Sequence, residues 1–85
     1  NYNKIGERTF DFEGKTTLID FCKITAQDPA VFEGVKGESE SLGGLILEIN
    51  SKLPGTGEKI AFENFLFVII AVDQKRIKRI KVIIQ

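Results

Sequence analysis

Four acidic residues bracket one loop of the chain and are the candidate metal ligands: Asp28, Glu33, Glu38 and Glu40. Carboxylate oxygens are the ligands that Mg²⁺ and Ca²⁺ prefer, and a loop can bring several of them together. Their spacing differs from that of an EF-hand, and exposed carboxylates are the ordinary case on a protein surface. A solvated acidic face is therefore the favoured interpretation, and a metal site is the alternative.

Catalytic residue types are scarce in this sequence, which has no histidine and a single cysteine. The commonest general base and the commonest zinc ligand are thus both missing. Cys22 lies on the apolar side of a predicted helix with no base to activate it, so we expect a buried, inert thiol. The sequence predicts that the protein is not an enzyme.

Two pairs of glycines could belong to phosphate-binding loops. Gly43 and Gly44 lie at the start of a predicted helix, where backbone N–H groups can bind an anion. Gly55 and Gly57 flank a single residue. Neither pair is followed by the rest of a dinucleotide-binding or P-loop pattern. We favour close packing of the helix on a sheet at the first pair and a turn at the second.

Basic residues are concentrated near the end of the chain: Lys75, Arg76, Lys78, Arg79 and Lys81. They could contact an acidic partner, anionic lipid or nucleic acid, or they could keep a sheet edge from pairing with another chain. The net charge is zero, and no aromatic residue alternates with these cations as a base-stacking surface would require. We therefore favour an edge guard or a protein-binding surface over a nucleic-acid site.

The pattern of polar and apolar residues predicts one strand, two helices and then three strands. The first strand covers residues 7–12. Thr16 or Thr17 caps the first helix, and Ser39 or Ser41 caps the second. The residues expected on the buried sides of the two helices are Leu18, Ile19, Phe21, Cys22, Leu42, Leu45, Ile46 and Ile49.

The three final strands cover residues 59–62, Phe65–Val72 and 76–84. Glu63 and Asn64 form a two-residue hairpin turn, in which Asn64 is expected to adopt a positive φ. The spacing of the isoleucines in the last strand requires one extra residue near Lys78 and Arg79, which predicts a β-bulge.

We therefore predict an α+β domain of two layers, β-α-α-β-β-β, with a mixed four-stranded sheet and both helices on one face. All 85 residues form one domain of a longer protein, with residues 1–6 as a linker. The strand Phe65–Val72 is apolar on both sides. The side without helices would present Leu66, Val68, Ile70 and Val72, and we expect another copy or another domain to cover it.

These residues resemble the CorC/HlyC transporter-associated domain from about residue 7 to residue 84. The matching motifs are Leu42-Gly43-Gly44-Leu45-Ile46, Leu53-Pro54, Gly57-Glu58, Phe67-Val68 and Arg76-Ile77-Lys78-Arg79-Ile80-Lys81-Val82. Ser51 stands where a glycine is common near the end of the second helix, and Gln74 stands where a glycine often follows the turn aspartate. Both departures concern turn geometry.

The resemblance implies an α+β fold similar to part of FAD-binding domains and a non-catalytic accessory or regulatory role in Mg²⁺ and Co²⁺ transport. Members of the family form the C-terminal domain of bacterial proteins that also carry a membrane domain and a pair of CBS modules. Some of these proteins are labelled hemolysins. Those domains are the implied partners, with a homodimer as a further candidate, at the cytoplasmic face of the inner membrane. The fold likeness also leaves open a flavin- or nucleotide-binding module holding FAD or an adenine nucleotide. No nucleic-acid partner is expected.

Overall fold

Two helices pack on one face of a five-stranded sheet. A computed structural model of the protein describes residues 2–85. The elements in chain order are β1 (Tyr2–Lys4), β2 (Thr9–Glu13), α1 (Leu18–Thr25), a 3-10 helix (Pro29–Phe32), α2 (Leu42–Asn50), β3 (Lys59–Phe62), β4 (Phe65–Val72) and β5 (Ile77–Ile84). The strand order is β1-β2-β5-β4-β3, and every neighbouring pair is antiparallel. The predicted α+β class is confirmed.

The sheet differs from the prediction in strand count and direction. It has five strands rather than four, and it is antiparallel rather than mixed. Short turns make β3, β4 and β5 antiparallel, and β5 then pairs with β2, which runs in the opposite direction. The additional strand, β1, lies in the segment 1–6 that was expected to be a linker. The ring of Tyr2 stacks 5.6 Å from that of Phe12, and Asn1 lies outside the described residues.

The starts of α1 and α2 are held together by reciprocal hydrogen bonds. The hydroxyl oxygens of Thr17 and Ser41 each accept a bond from a backbone N–H three residues later, at 3.2 and 3.1 Å. The N–H of Leu18 donates to the segment before α2, and the N–H of Leu42 donates to the segment before α1, both at 2.8 Å. Thr17 and Ser41 are therefore the caps, and these first-turn donors are satisfied within the chain.

The core lies between the helices and one face of the sheet, and phenylalanines fill its centre. Phe21 of α1 is fully buried, and its ring centroid lies 5.0 to 6.5 Å from those of Phe12, Phe32, Phe65 and Phe67. Aromatic pairs at these separations add specific contact energy to the area that they bury. Phe21 therefore joins the first helix to β2, β4 and the 3-10 helix.

Two apolar helix residues differ from the prediction. Ile19 is 65% exposed, so its predicted burial is wrong, and Ile49 is half-buried at the margin of the core. Because α1 begins at Leu18, its buried positions continue at three, four and seven residues further on. Ile19 is rotated by about 100° from that side of the helix.

β4 and β5 each carry one extra residue where they pair, Ile70 and Lys78. The extra Lys78 allows both Ile77 and Ile80 to reach the core, which confirms the predicted bulge. The extra Ile70 changes the alternation of β4. Val72 consequently packs against the core, and its predicted place on the opposite face is wrong.

The turn of Glu63 and Asn64 joins β3 to β4, as predicted, with Phe62 paired to Phe65. The positive φ falls on Glu63, at 53°, so its assignment to Asn64 was wrong. A two-residue turn with positive φ only at its first central position is compatible with the right-handed twist of a hairpin.

Ser51 ends α2 in the left-handed conformation, with φ at 68°, and its N–H donates to the Leu47 carbonyl at 2.8 Å. Serine thus occupies a conformation that favours glycine, at the position where the family resemblance leads one to expect glycine. Among the described residues, no helix is long and apolar enough to cross a membrane.

Candidate interaction surface

One face of the sheet has no helix of residues 2–85 packed on it, and we call it the open face. Its residues alternate along the strands with core residues, and none of them is fully buried. They are Asn3, Thr9, Asp11, Glu13, Lys59, Ala61, Leu66, Val68, Ile70, Ala71, Arg79, Lys81 and Ile83. The helices bury their apolar sides against the opposite face, so the open face meets solvent.

An apolar stripe runs along the middle of the open face. It consists of Leu66, Val68 and Ile70 from β4 together with Ile83 from β5, which pairs directly with Leu66. Ile70 is 43% exposed, and the other three are half-buried. The structure therefore brings the three predicted β4 residues onto one surface. A contiguous apolar stripe left in water is typical of a contact surface.

An acidic column formed by Asp11 and Glu13 lies beside this stripe on β2. Arg79 Nε lies 3.0 Å from Oδ1 and 3.2 Å from Oδ2 of Asp11, and Arg79 Nη1 lies 3.9 Å from a Glu13 oxygen. The N–H direction favours Oδ2, so the buried Oδ1 is held by charge attraction alone. Lys81 is paired across the strands with Asp11. The open-face cations of β5 are therefore partly neutralised within the chain.

The remaining basic residues lie at the turn between β4 and β5. Asp73 Oδ1 accepts hydrogen bonds from the backbone N–H groups of Lys75 and Arg76, both at 3.2 Å. The bond from the Lys75 N–H is the main cause of a lowered pKa of the Asp73 carboxyl, and the nearby charges of Lys78 and Arg76 act in the same direction. Lys75, Arg76 and Lys78 are exposed, so this turn presents three cations to solvent.

The interpretation of the basic strand as an edge guard is wrong. β5 lies in the interior of the sheet, between β2 and β4, and the outer strands are β1 and β3. A strand paired on both sides has no free row of backbone groups to protect.

The start of α2 is closely packed, which confirms the favoured interpretation of its two glycines. The N–H of Gly43 donates to the Gly14 carbonyl at 2.9 Å, and the N–H of Gly44 donates to the Ser41 hydroxyl at 3.1 Å. A Cβ on Gly43 would lie 3.1 Å from the Gly14 oxygen and 3.4 Å from the Ile77 oxygen. These glycines let the helix approach the sheet, and their N–H groups are not free for phosphate.

The second glycine pair lies in a turn, as favoured. The N–H of Gly57 donates to the Ile69 carbonyl at 2.7 Å, and the N–H of Gly55 donates to Glu58 Oε1 at 3.0 Å. Gly57 has a φ of 90°, which explains the glycine. This loop is therefore bound to β4 by its own backbone groups.

The acidic candidate ligands lie in and around the 3-10 helix and before α2. Asp28 Oδ1 accepts the Ala30 N–H at 2.9 Å and caps the 3-10 helix, and Glu33 ends that helix. Across residues 2–85, no three Asp, Glu or Cys side chains come together as a group that could hold a metal ion.

Cys22 lies in the core and is 4% exposed, so its predicted burial is confirmed. Burial is the main cause of a raised pKa of its thiol, and the negative charge of Asp28 adds to it. A thiol in this environment stays protonated at neutral pH and is a poor nucleophile.

Sequence reasoning missed the acidic column and Lys59 as parts of the surface. The alternation of Asp11 and Glu13 with buried phenylalanines placed them opposite the core, and this signal was available. No signal in the sequence indicated that they lie beside Arg79, because that position depends on the pairing of β2 with β5. Asp11 and Arg79 are 68 residues apart in the chain.

The chain matches the family model of the transporter associated domain, CorC_HlyC, over residues 3–85. The transporter associated domain of a CBS domain protein from Porphyromonas gingivalis is 33% identical, with a TM-score of 0.85 over 96% of this chain and 94% of that one. The Mg²⁺ and Co²⁺ transporter (CorC) associated region from Neisseria meningitidis is 18% identical, with a TM-score of 0.84 over 100% of this chain and 99% of that one.

A transporter associated domain from a Xylella fastidiosa hemolysin, solved in complex with Mg²⁺ and Mn²⁺, has a TM-score of 0.71 at 16% identity. It covers 91% of this chain and 87% of that one. Among proteins with curated descriptions, no match to the chain was found. The family model spans all but the first two residues, and the Porphyromonas domain is a relative of nearly the same extent. The chain therefore belongs to the CorC/HlyC family of transporter-associated domains.

Proposed function

We propose that this domain is a non-catalytic interaction module that regulates divalent-cation transport by a CBS-containing membrane protein. The ion would be Mg²⁺ or Co²⁺, and the domain would act at the cytoplasmic face of the bacterial inner membrane. Its partners would be the membrane domain and the CBS pair of the same protein. Membership in the family and the names of the Porphyromonas and Neisseria relatives support this proposal.

The observation that carries the proposal is the open face. It combines an apolar stripe with ordered charges, whereas the polar groups at the helix starts and in the glycine loops bond within the chain. A domain of this kind influences transport by binding one conformation of the parent protein more tightly than another. Its effect is then set by the difference between those two binding free energies.

The test is a substitution in the intact parent protein that changes only this face. Ile70→Lys places a charge in the apolar stripe at a site that is already 43% exposed, so folding should be retained. Ile19→Lys is the matched control, because Ile19 is an exposed isoleucine on α1, in the opposite layer. We expect Ile70→Lys to alter cellular Mg²⁺ and Co²⁺ content or assembly of the protein, and Ile19→Lys to behave as the wild type. Unchanged flux and assembly in Ile70→Lys would refute the proposal.

A metal site formed by Asp28, Glu33, Glu38 and Glu40 stays the alternative to the favoured solvated acidic face. Titration of the domain with Mn²⁺, followed by electron paramagnetic resonance, tests it. Loss of binding in Asp28→Asn would place the ion in this segment. The flavin or nucleotide alternative predicts visible absorbance in the purified protein or saturable nucleotide binding.

A further inference from the structure

The open face carries two ion-paired carboxylates on one side, a lysine on the other and apolar residues between them. β2 contributes the carboxylates of Asp11 and Glu13 on one side, and β3 contributes the exposed Lys59 on the other. Arg79 lies within ion-pair distance of both carboxylates, and Lys15 within ion-pair distance of Glu13. Asp11, Lys81, Val68 and Lys59 stand in one row across four strands. Within the part of the chain described, no ion pair involves Lys59. Exchange of the two sides therefore brings Lys59 opposite the carboxylates of β2.

We infer that the open face binds the open face of a second copy of this chain. The two-fold axis runs between the two sheets, parallel to the strands and midway between β4 and β5. This inference rests on the proposed role of the open face as a binding surface, and it names the partner of that surface. Rotation about this axis places β2 opposite β3 of the second copy and β5 opposite its β4.

The contacts that follow are favourable across the width of the face. Asp11 meets the partner's Lys59, and by symmetry this pairing occurs twice. Leu66 meets the partner's Ile83 near the axis, where apolar area is removed from water. The half-buried Lys81 lays its aliphatic stem over the partner's Val68.

A two-fold axis perpendicular to the strands gives a worse arrangement. It places β2 opposite β2, so that the carboxylates of Asp11 and Glu13 from both copies face one another. It also places the cations of β5 opposite those of the other β5. Juxtaposed like charges oppose association, and the charge pattern therefore selects the axis parallel to the strands. Two sheets packed in this way form a sandwich about 10 Å thick with strands crossing at about −30°.

The area of the face indicates a weak dimer. Four strands of four to eight residues, about 4.8 Å apart and rising about 3.4 Å per residue, make a surface of roughly 15 by 20 Å. Two such surfaces bury on the order of 600–800 Å², below the approximately 1,200 Å² at which stable complexes begin. The dimer therefore forms at high concentration, or where copies are held close together in a larger assembly.

The first test measures association of the 85-residue chain by sedimentation velocity from micromolar to low-millimolar concentration. We expect a reversible dimer. Ile70→Lys should raise the dissociation constant at least about tenfold, and the control Ile19→Lys should leave it unchanged. A chain that stays monomeric at millimolar concentration overturns the inference. Equal weakening by both substitutions overturns it as well.

The second test reads the orientation of the two copies. Thr9, on β2, and Ala61, on β3, lie in one row across the sheet. Both are uncharged, so their replacement by cysteine leaves the ion pairs of the face intact. A mixture of Thr9→Cys and Ala61→Cys chains should be linked by a short bismaleimide. Each variant alone should link poorly, because its two cysteines would lie about 15 Å apart, three strand spacings. The wild-type chain, whose Cys22 is buried, is the control, and linking of Thr9→Cys with itself in preference to the mixture refutes the axis.

Lys59→Glu gives a third measure that depends on charge alone. In the wild type, added salt should weaken the dimer, because it screens the attraction of Lys59 for the partner's Asp11. In Lys59→Glu the dimer should be weaker at low salt and strengthened by added salt. An identical salt dependence in both chains contradicts the proposed pairing.

Failure of this inference can be separated from failure of the proposed function. A monomeric chain whose Ile70→Lys substitution still changes cation flux has another domain as its partner, and only the dimer is refuted. A chain that dimerises as described, with unchanged flux in the Ile70→Lys parent protein, refutes the regulatory role and leaves the dimer intact.

Discussion

Replacing Gly14 by alanine should destabilise the domain more than any surface change. Gly14 follows β2 and joins three elements, since its N–H donates to the Lys78 carbonyl and its carbonyl accepts from the Gly43 N–H, both at 2.9 Å. A Cβ at this position would lie 1.9 Å from the carbonyl oxygen of Ile77 and 2.9 Å from its carbon. Both atoms belong to the backbone of β5, so no side-chain rotation can relieve the clash.

The magnitude follows from what has to move. The backbone at Gly14 must retreat from 1.9 Å to beyond 3.0 Å, because shorter Cβ contacts are essentially never seen. Overpacking of this kind costs about 1–3 kcal/mol. Each of the two backbone hydrogen bonds that the shift strains contributes about 0.5–1.5 kcal/mol. The expected loss is about 3 kcal/mol or more, against a total of roughly 4–13 kcal/mol for a domain of this size.

Urea unfolding followed by circular dichroism measures this loss directly. Gly55→Ala is the matched control, because no atom lies within 4 Å of its added Cβ and its φ is not in the left-handed region. That substitution should change the free energy of unfolding by less than about 1 kcal/mol, in the stabilising direction. A Gly14→Ala protein within about 0.5 kcal/mol of the wild type would refute the close contact between this turn and β5.

Four further predictions concern single residues. Ser51→Gly should raise the free energy of unfolding by about 0.5–1 kcal/mol, measured in urea, because glycine adopts the left-handed conformation without strain. Arg79→Met should lower the free energy of unfolding by about 1 kcal/mol after allowance for solvent screening, whereas Lys78→Met should leave it almost unchanged. Equal losses of unfolding free energy in the two variants, measured in urea, would contradict the ion-pair assignment of Arg79. The pKa of Asp73 is lower in the folded protein than in the unfolded chain. The ionised carboxylate therefore adds to the free energy of unfolding above the ordinary carboxyl pKa, and this addition is lost as pH falls through the folded pKa. Asp73→Asn should remove this part of the acid dependence of the Tm. Cys22 should react with a thiol reagent only after unfolding, and stoichiometric labelling of the native protein would contradict its burial.

Local features of the fold were predictable because short-range interactions decide them. Thr17 and Ser41 were among the proposed caps, since their hydroxyl groups satisfy N–H groups three residues away. The bulge at Lys78 was visible in the spacing of the isoleucines, because a strand cannot otherwise place Ile77 and Ile80 on one face. The positive φ at Glu63 was not predictable from propensity, which favours asparagine there.

By itself, the sequence determined the α+β class, the two helices, the last three strands and the apolar character of both sides of β4. These properties follow from periodicity, capping and turn chemistry within short segments. Only the tertiary structure decided that β5 lies inside the sheet and that Arg79 forms ion pairs with Asp11 and Glu13. It alone placed Lys59 on the far side of the apolar stripe. The physical reason is that strand pairing joins residues far apart in the chain, so the neighbours of a charge are set by closure of the whole sheet.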